Sequence, residues 1–307
     1  MSVPRGSILQ FRALRPVSAP RVSLLRTPML LIAVAFLLVG ASSAYARADL
    51  WRDVAATGIQ KSGARPSQAV NERTLQLDLA GLETLLRTAP HEYSAKASVA
   101  PVLSLPLPSG DMGRFRIVVS PIMAPELAER YPEIQTYAGI SLDDPGATAR
   151  LDRTPHGFHA MILAGSGSGR ATVYIDPYQR GDTQHYVSYR RSDALRLSSR
   201  APIESPPRGA NALINRQAAR LLAEGLVTQT GPLLRTYRLA IATTGEYTQF
   251  HGGTVALGLA AVTTAMNRIN GIYEREVSLR MELVANNDNL IYTDSGTDPY
   301  TNDDGDA

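Results

Sequence analysis

The sequence predicts an α+β chain, in which a β-rich domain over residues 47–200 precedes the βαβ opening of an α/β domain over residues 232–307. Three observations predict it. Short runs with period-two alternation, bounded by Gly, Pro and Asp turn signals, crowd the first region. In the second, one helix-period apolar stripe lies between two alternating strands, the pattern of a parallel crossover. Between the regions, residues 191–210 (RSDALRLSSRAPIESPPRGA) have the charged, Ser- and Pro-rich composition of an exposed linker, and residues 201–231 are read as a linker and processing region.

Residues 1–46 are read as a signal peptide. Arg5, Arg12, Arg15, Arg21 and Arg26 precede the uncharged run Met29 to Gly40 (MLLIAVAFLLVG), and Ala44-Tyr45-Ala46 offers a small-x-small cleavage signal. The apolar run is short against the roughly 20 residues needed to span a bilayer. No twin-arginine pair occurs, so Sec-type export is expected, with cleavage after Ala46 and a secreted or periplasmic product. Membrane contact is then confined to the signal peptide during export.

Removing these five arginines from the 31 basic residues leaves 26 against 28 acids, a net charge of −2. The basic pI therefore belongs to the leader, and no basic face for nucleic acid is implied. There is no cysteine. That excludes a thiol nucleophile, a thiolate zinc site and an inhibitory cysteine, and it leaves stability to a hydrophobic core that roughly 260 residues are enough to build.

Within the β-rich region, Thr74 to Leu79 alternates as a strand and Leu82 to Leu86 reads as a short helical turn. Val102 to Leu107, flanked and interrupted by Pro101, Pro106 and Pro108, reads as an edge strand. Arg114 to Ser120, Gly157 to Leu163, Ala171 to Ile175 and His185 to Tyr189 are further strands, separated by turn signals such as Asp144-Pro145-Gly146 and Arg180-Gly181-Asp182. An antiparallel sandwich or barrel accounts for them most simply. Asn211 to Gly225 is a candidate short helix.

In the α/β region, Tyr237 to Thr243 and Val277 to Leu283 alternate as strands. Between them Val255, Leu259, Val262, Met266, Ile269 and Tyr273 recur at steps of three and four, and Thr254 is the expected N-cap. Only 23 residues follow Val284, too few to finish such a sheet, so the chain reads as truncated or as a naturally degenerate copy.

Several segments resemble the bacterial secreted reprolysin-like zinc metallopeptidases, metzincins related to the adamalysins. Val173 to Tyr178 and His185 to Tyr189 look like the end of that family's propeptide. Leu234 to Tyr247, His251-Gly252-Gly253-Thr254, Met266 to Glu274, Ala285 to Asp288 and Asp298 to Asn302 resemble the start of its catalytic domain. The resemblance runs from about residue 70 to Ala307. It implies a zinc metalloendopeptidase acting on proteins or peptides, with a propeptide in intramolecular contact with the catalytic domain.

The family's chemistry resides in H-E-x-x-H-x-x-G-x-x-H, where three histidines hold zinc and the glutamate is general base to the zinc-bound water. That motif is absent from this sequence. The expectation is Zn2+ for the complete enzyme and none bound by this chain, with no catalytic, cofactor-binding or metal residue assigned, and an inactive fragment. His91-Glu92 is followed by Ala95 where the second ligand would stand. His156 and His159, read as one strand, would face opposite sides. His251 matches the family, but not as a zinc ligand. Asp294, Asp298, Asp303, Asp304 and Asp306 do not fit an EF-hand loop, and Glu246 is read as a helix-start or surface residue.

Two other classes are weighed. One is a non-enzymatic exported β-domain that binds or inhibits a partner, with residues 237–307 as a vestige. The other is a nucleotide-binding βαβ protein, disfavoured because Thr243 to Gly253 has neither G-x-G-x-x-G spacing nor a P-loop lysine.

Overall fold

The computed structural model describes residues 50–60, 63–144, 146–165, 171–195 and 233–300, all belonging to one compact unit, Arg47–Ala307. The expected signal peptide, linker and helix over Asn211 to Gly225 lie outside the described residues.

Nine strands form one antiparallel sheet. They are β1 (Trp51–Asp53), β2 (Glu72–Leu77), β3 (Val102–Pro106), β4 (Met112–Val119), β5 (Gln135–Ser141), β6 (Thr148–Thr154), β7 (Gly157–Leu163), β8 (Val173–Pro177) and β9 (His185–Arg190). Their spatial order is β1-β2-β9-β8-β7-β6-β5-β4-β3, so β3 to β9 run as a continuous meander and β2 adds beside β9. The two edge strands meet through side chains. Trp51 Nε1 on β1 donates to the Ser104 carbonyl on β3 (3.0 Å), and nearby Ser188 Oγ donates to the Pro106 carbonyl (2.8 Å). The enclosed face is one apolar core: Leu75, Leu103, Leu105, Phe115, Ile117, Leu151, Phe158, Ile175 and Tyr186, with Leu82 and Leu86 from helix α1 (Leu79–Leu86). Asp78 caps α1 by accepting from the Gly81 N–H (3.1 Å). Pro106 ends β3 on the outer edge, where a missing N–H costs no ladder bond. The strands read from sequence are present with shifted ends, whereas β1, β5 and β6 escaped the reading.

Helix α2 (Pro125–Arg130) lies between β4 and β5, and after residue 195 the described chain resumes at residue 233 in the α/β part. Strands β10 (Arg235–Leu239) and β11 (Leu279–Leu283) pair in parallel, with Tyr237 opposite Met281. Between them lie the short helix α3 (Gly245–Phe250) and the long helix α4 (Val255–Val277). Thr254 caps α4 as expected, its side chain accepting from the Leu257 N–H (3.2 Å). Ser278 ends the helix at φ 53°, a left-handed residue that turns the chain into β11. The overall class is therefore α+β and β-rich, with a strand–helix–strand unit after the sheet.

Leu259, Val262 and Met266 of the apolar stripe are buried, with Leu283 and Ile291, against Ile122, Met123, Leu127 and Ile134 of the β-rich region. This second core is shared by both parts of the chain. Backbone bonds tie it further: Ala124 N–H donates to the Leu283 carbonyl and Leu283 N–H to the Ile122 carbonyl, both at 2.8 Å.

Candidate functional site

The feature that joins chemistry-bearing residues from both parts is the seam where α4 crosses the outer face of β6, β7 and β8. Sequence periodicity exposes only one stripe of α4, yet Gly258, Thr263, Thr264, Asn267, Asn270 and Gly271 are buried as well. Burying polar side chains requires partners, and each has one. Asn267 Nδ2 donates to the Leu151 carbonyl (2.8 Å), and Thr264 Oγ1 to Asp152 Oδ1 (2.7 Å). The same Asp152 oxygen meets His159 Nδ1 (2.9 Å). Arg268 pairs with Asp176, whose other oxygen accepts from the Tyr189 hydroxyl (2.7 Å). Burial alone would raise the Asp176 carboxyl, but the Arg268 charge, the His159 ring and these hydrogen bonds hold it below the ordinary aspartate value.

A second charged group lies toward the C-terminal end of α4. Glu274 accepts from Arg150 on β6 and from Arg280 Nε on β11 (2.6 Å). Arg280 in turn forks onto both oxygens of Glu92 (2.5 and 2.9 Å). Arg150 also donates to Ser120 Oγ (2.7 Å). Burial pulls the Arg150 guanidinium below its usual range, whereas Arg280, though also desolvated, is pushed up by its hydrogen bonds to Glu92 and Glu274. Two arginines and two glutamates thus form a charge-neutral cluster on three separate stretches of chain.

At the other end of α4 lies a pocket of about 160 Å³ between the parts, lined among others by His156, His159, Asp176, Arg180, Phe250, His251, Thr264 and Arg268. His156 and His159 share this pocket, which corrects the expectation that they face opposite sides. His156 is not in a strand: Pro155 and His156 form the β6–β7 turn, closed by Gly157 at φ +113°, so alternation does not apply to the pair. His156 Nε2 lies 2.9 Å from the Leu257 carbonyl, which places its ring against the start of α4. The ring centroids of His156 and His251 are 5.8 Å apart, edge to face. Burial, then the neighbouring His156 and Arg180, lower His251 to about 4; burial likewise lowers His156.

The remaining candidates fall elsewhere. His91 is exposed, its neighbour Glu92 is held by Arg280, and Ala95 is exposed. His185 pairs with Asp182 (2.9 Å). Glu246 is exposed in the first turn of α3. Asp294 accepts from the Gly296 N–H (2.9 Å) and Asp298 from the Gly245 N–H (2.6 Å), so both serve turns and caps. Asp303, Asp304 and Asp306 lie outside the described residues. Sequence reasoning missed Glu92, Arg150, Asp176, Arg268, Glu274 and Arg280. For Arg268 and Glu274 the sequence signal is a second stripe of small and polar residues on α4, with Thr264, Asn267 and Gly271, at helical spacing.

An antiparallel sheet followed by a parallel strand–helix–strand unit defines an α+β protein, and the comparisons narrow the second part. Residues 233–307 match the model of metallo-peptidase family M12B, reprolysin-like, a match that takes in β10, α3, α4 and β11. This segment is reprolysin-like, in agreement with the resemblance carried by Leu234 to Tyr247 and the motifs after it. No curated protein matches the chain. The family is zinc-dependent, which invites a test of the residues present. All five histidines are among the described residues, and among those residues no group of three or more His, Asp or Glu side chains converges to hold a metal ion. The donors here do not fit a catalytic zinc, and no hydrolytic step is assigned to them.

Proposed function

We propose that this chain is the precursor part of an exported reprolysin-like zinc metalloendopeptidase. In this reading residues 1–46 direct export, residues 47–200 are a propeptide, and residues 232–307 open the catalytic domain. The observation that carries the reading is that the segment matching the family model, 233–307, lies with its long helix α4 against the sheet of the β-rich region. The character of the seam supports it. Ion pairs and side-chain amides flank the shared apolar core, and that mixture of polar and apolar contacts is found at interfaces between domains of one chain. A propeptide must hold the opening of its enzyme in place and later leave; the apolar core serves the first need, and the charged pairs, which water can take over, serve the second. Peptide hydrolysis then belongs to residues beyond those carrying this seam, and the 307 residues alone are expected to be without peptidase activity.

The test is to read the gene past the Ala307 codon, express any in-frame product and assay casein cleavage with and without a chelator. A continuation containing H-E-x-x-H-x-x-G-x-x-H, with chelator-sensitive cleavage absent from the 307-residue chain, is the expected result. A stop codon at that point, or a longer product inert towards casein and other protein substrates, would overturn the reading.

A further inference from the structure

We propose that the pocket at the seam is a binding site for a small carboxylate, gripped by Arg180 and by His251 in its protonated form. The inference is independent of the peptidase reading.

Arg180 follows β8 and stacks on the Phe250 ring, its guanidinium carbon 4.1 Å from the ring centroid. Among the described residues its guanidinium has no ion pair or hydrogen bond, although nearly every other partly buried arginine of the seam is paired with an acid. Stacking holds the guanidinium plane fixed and leaves its N–H edge unspent, the arrangement that receives a carboxylate in a fork. Arg268 lines the same pocket. Its Nη2 serves Asp176, and its Nε is buried without a partner among the described residues. Both guanidinium side chains line one cavity, and Arg180 brings the donors to spare.

The histidines make the site proton-coupled. His251 packs against Tyr247 (4.5 Å between centroids), Phe250 (5.0 Å) and His156, and its ring has no hydrogen bond among the described residues. The charged or titratable groups facing it are His156 from the β6–β7 turn and Arg180 from the turn after β8; Tyr247 is on its own element. His156 in turn faces His159, Arg180 and Asp152. Apart from Asp152 and Asp176, which are already engaged by Thr264, His159, Arg268 and Tyr189, no acid among the described residues lines the pocket beside Arg180. An incoming anion supplies the missing negative charge and makes the imidazolium of His251 favourable, so anion and proton bind together. The cavity of about 160 Å³ far exceeds the ~10–15 Å³ that one water needs, which is room for a carboxylate group with a short stem.

The carboxylate has two possible sources: a free small dicarboxylate or an acidic side chain of a peptide. Titration calorimetry on the full chain, in chloride buffer, with succinate and with a blocked peptide carrying one glutamate tests both, at pH 7.5, 6.5 and 5.5. The expected result is saturable binding that tightens by up to tenfold per pH unit, because one proton is taken up with the anion. Histidine NMR should show the His251 titration moving upward on addition of ligand. Arg180→Gln should abolish binding, and His251→Gln should leave weak binding that no longer varies with pH. Tighter binding of the peptide points to a macromolecular source, tighter binding of succinate to a free metabolite, and both support the site. Absence of saturable binding by either probe would overturn the proposal. So would equal affinity in Arg180→Gln, shown by near-UV circular dichroism to be folded, or an affinity unchanged between pH 7.5 and 5.5.

Discussion

Arg280 and Glu92 form a two-point fork, Nη1 to Oε1 at 2.5 Å and Nη2 to Oε2 at 2.9 Å, although 188 positions separate them in the chain. The pair joins β11 to the segment before β3. Because Arg280 Nε also reaches Glu274, and Glu274 meets Arg150, the charges of the four residues cancel only as a set.

Breaking that set is expected to cost more than a surface ion pair. Arg280 has only 7% of its side chain exposed and Glu92 14%, so Glu92→Ala leaves a desolvated guanidinium half-compensated. The expected loss is about 3–5 kcal/mol in urea unfolding, against ~0–1 kcal/mol for an exposed pair. A double-mutant cycle with Arg280→Met isolates the pairwise coupling. A loss below 1 kcal/mol for Glu92→Ala would mean that the fork does not hold the two parts together.

Asn270 and Asn287 each imitate a strand. Asn270 Nδ2 donates to the Met281 carbonyl and its Oδ1 accepts from the Met281 N–H, both at 2.8 Å. Asn287 does the same for Ile241, at 3.1 and 2.7 Å. Leucine at either position fits an apolar surrounding but strands one N–H and one C=O, at about 1–3 kcal/mol for each group left unsatisfied. In Asn270→Leu the Met281 amide should exchange with deuterium far faster, while Ile241 is unchanged; Asn287→Leu should give the reverse pattern.

The sequence exposes the apolar stripe of α4 because apolar side chains at steps of three and four have one meaning. It does not expose the other buried face, because Thr264, Asn267, Arg268 and Glu274 have the polarity of a solvated surface. Their burial depends on partners on β6 and β8 about a hundred residues earlier. The same blindness hid β6. Its core-facing Ala149 and Leu151 alternate with Arg150 and Asp152, which turn outward yet are covered by α4. Polarity pattern reports composition by face, not what covers the face. The edge strand β3 was legible for the opposite reason: proline acts on the backbone itself and needs no partner to be read.

Acid should loosen the seam. An unperturbed histidine titrates near 6.5, whereas His251 in the fold titrates at about 4. Between these values the unfolded chain binds more protons than the folded one, so stability rises with pH. The contribution of His251 is complete above pH 6.5 and is lost as pH falls toward 4. His156, also lowered by burial, adds to the loss in the same direction. The urea midpoint in chloride buffer should therefore drop between pH 7 and pH 5, and His251→Gln should flatten that dependence. A midpoint equally steep in His251→Gln would assign the acid sensitivity to other groups.

Gly245 marks the closest backbone approach in the α/β part. A Cβ at this position would lie 2.2 Å from the Ser295 nitrogen and 2.3 Å from the Asp294 carbonyl carbon, both main-chain atoms that cannot rotate aside. The approach is drawn in by a bond: Gly245 N–H donates to Asp298 Oδ2 at 2.6 Å, so the loop over 294–298 closes the first turn of α3. Gly245→Ala gains up to about 1 kcal/mol of helix propensity. It must nevertheless push the loop away and lose the Asp298 bond, and overpacking of this kind costs about 1–3 kcal/mol. Thr244→Ala is the control, since it removes the α3 cap, whose side chain accepts from the Tyr247 N–H, at about 1 kcal/mol without a clash. The expected order is Gly245→Ala less stable than Thr244→Ala, with new proteolytic cleavage within 294–298 in the glycine variant alone. Equal stability of Gly245→Ala and the parent chain would show that the loop yields freely and does not brace α3.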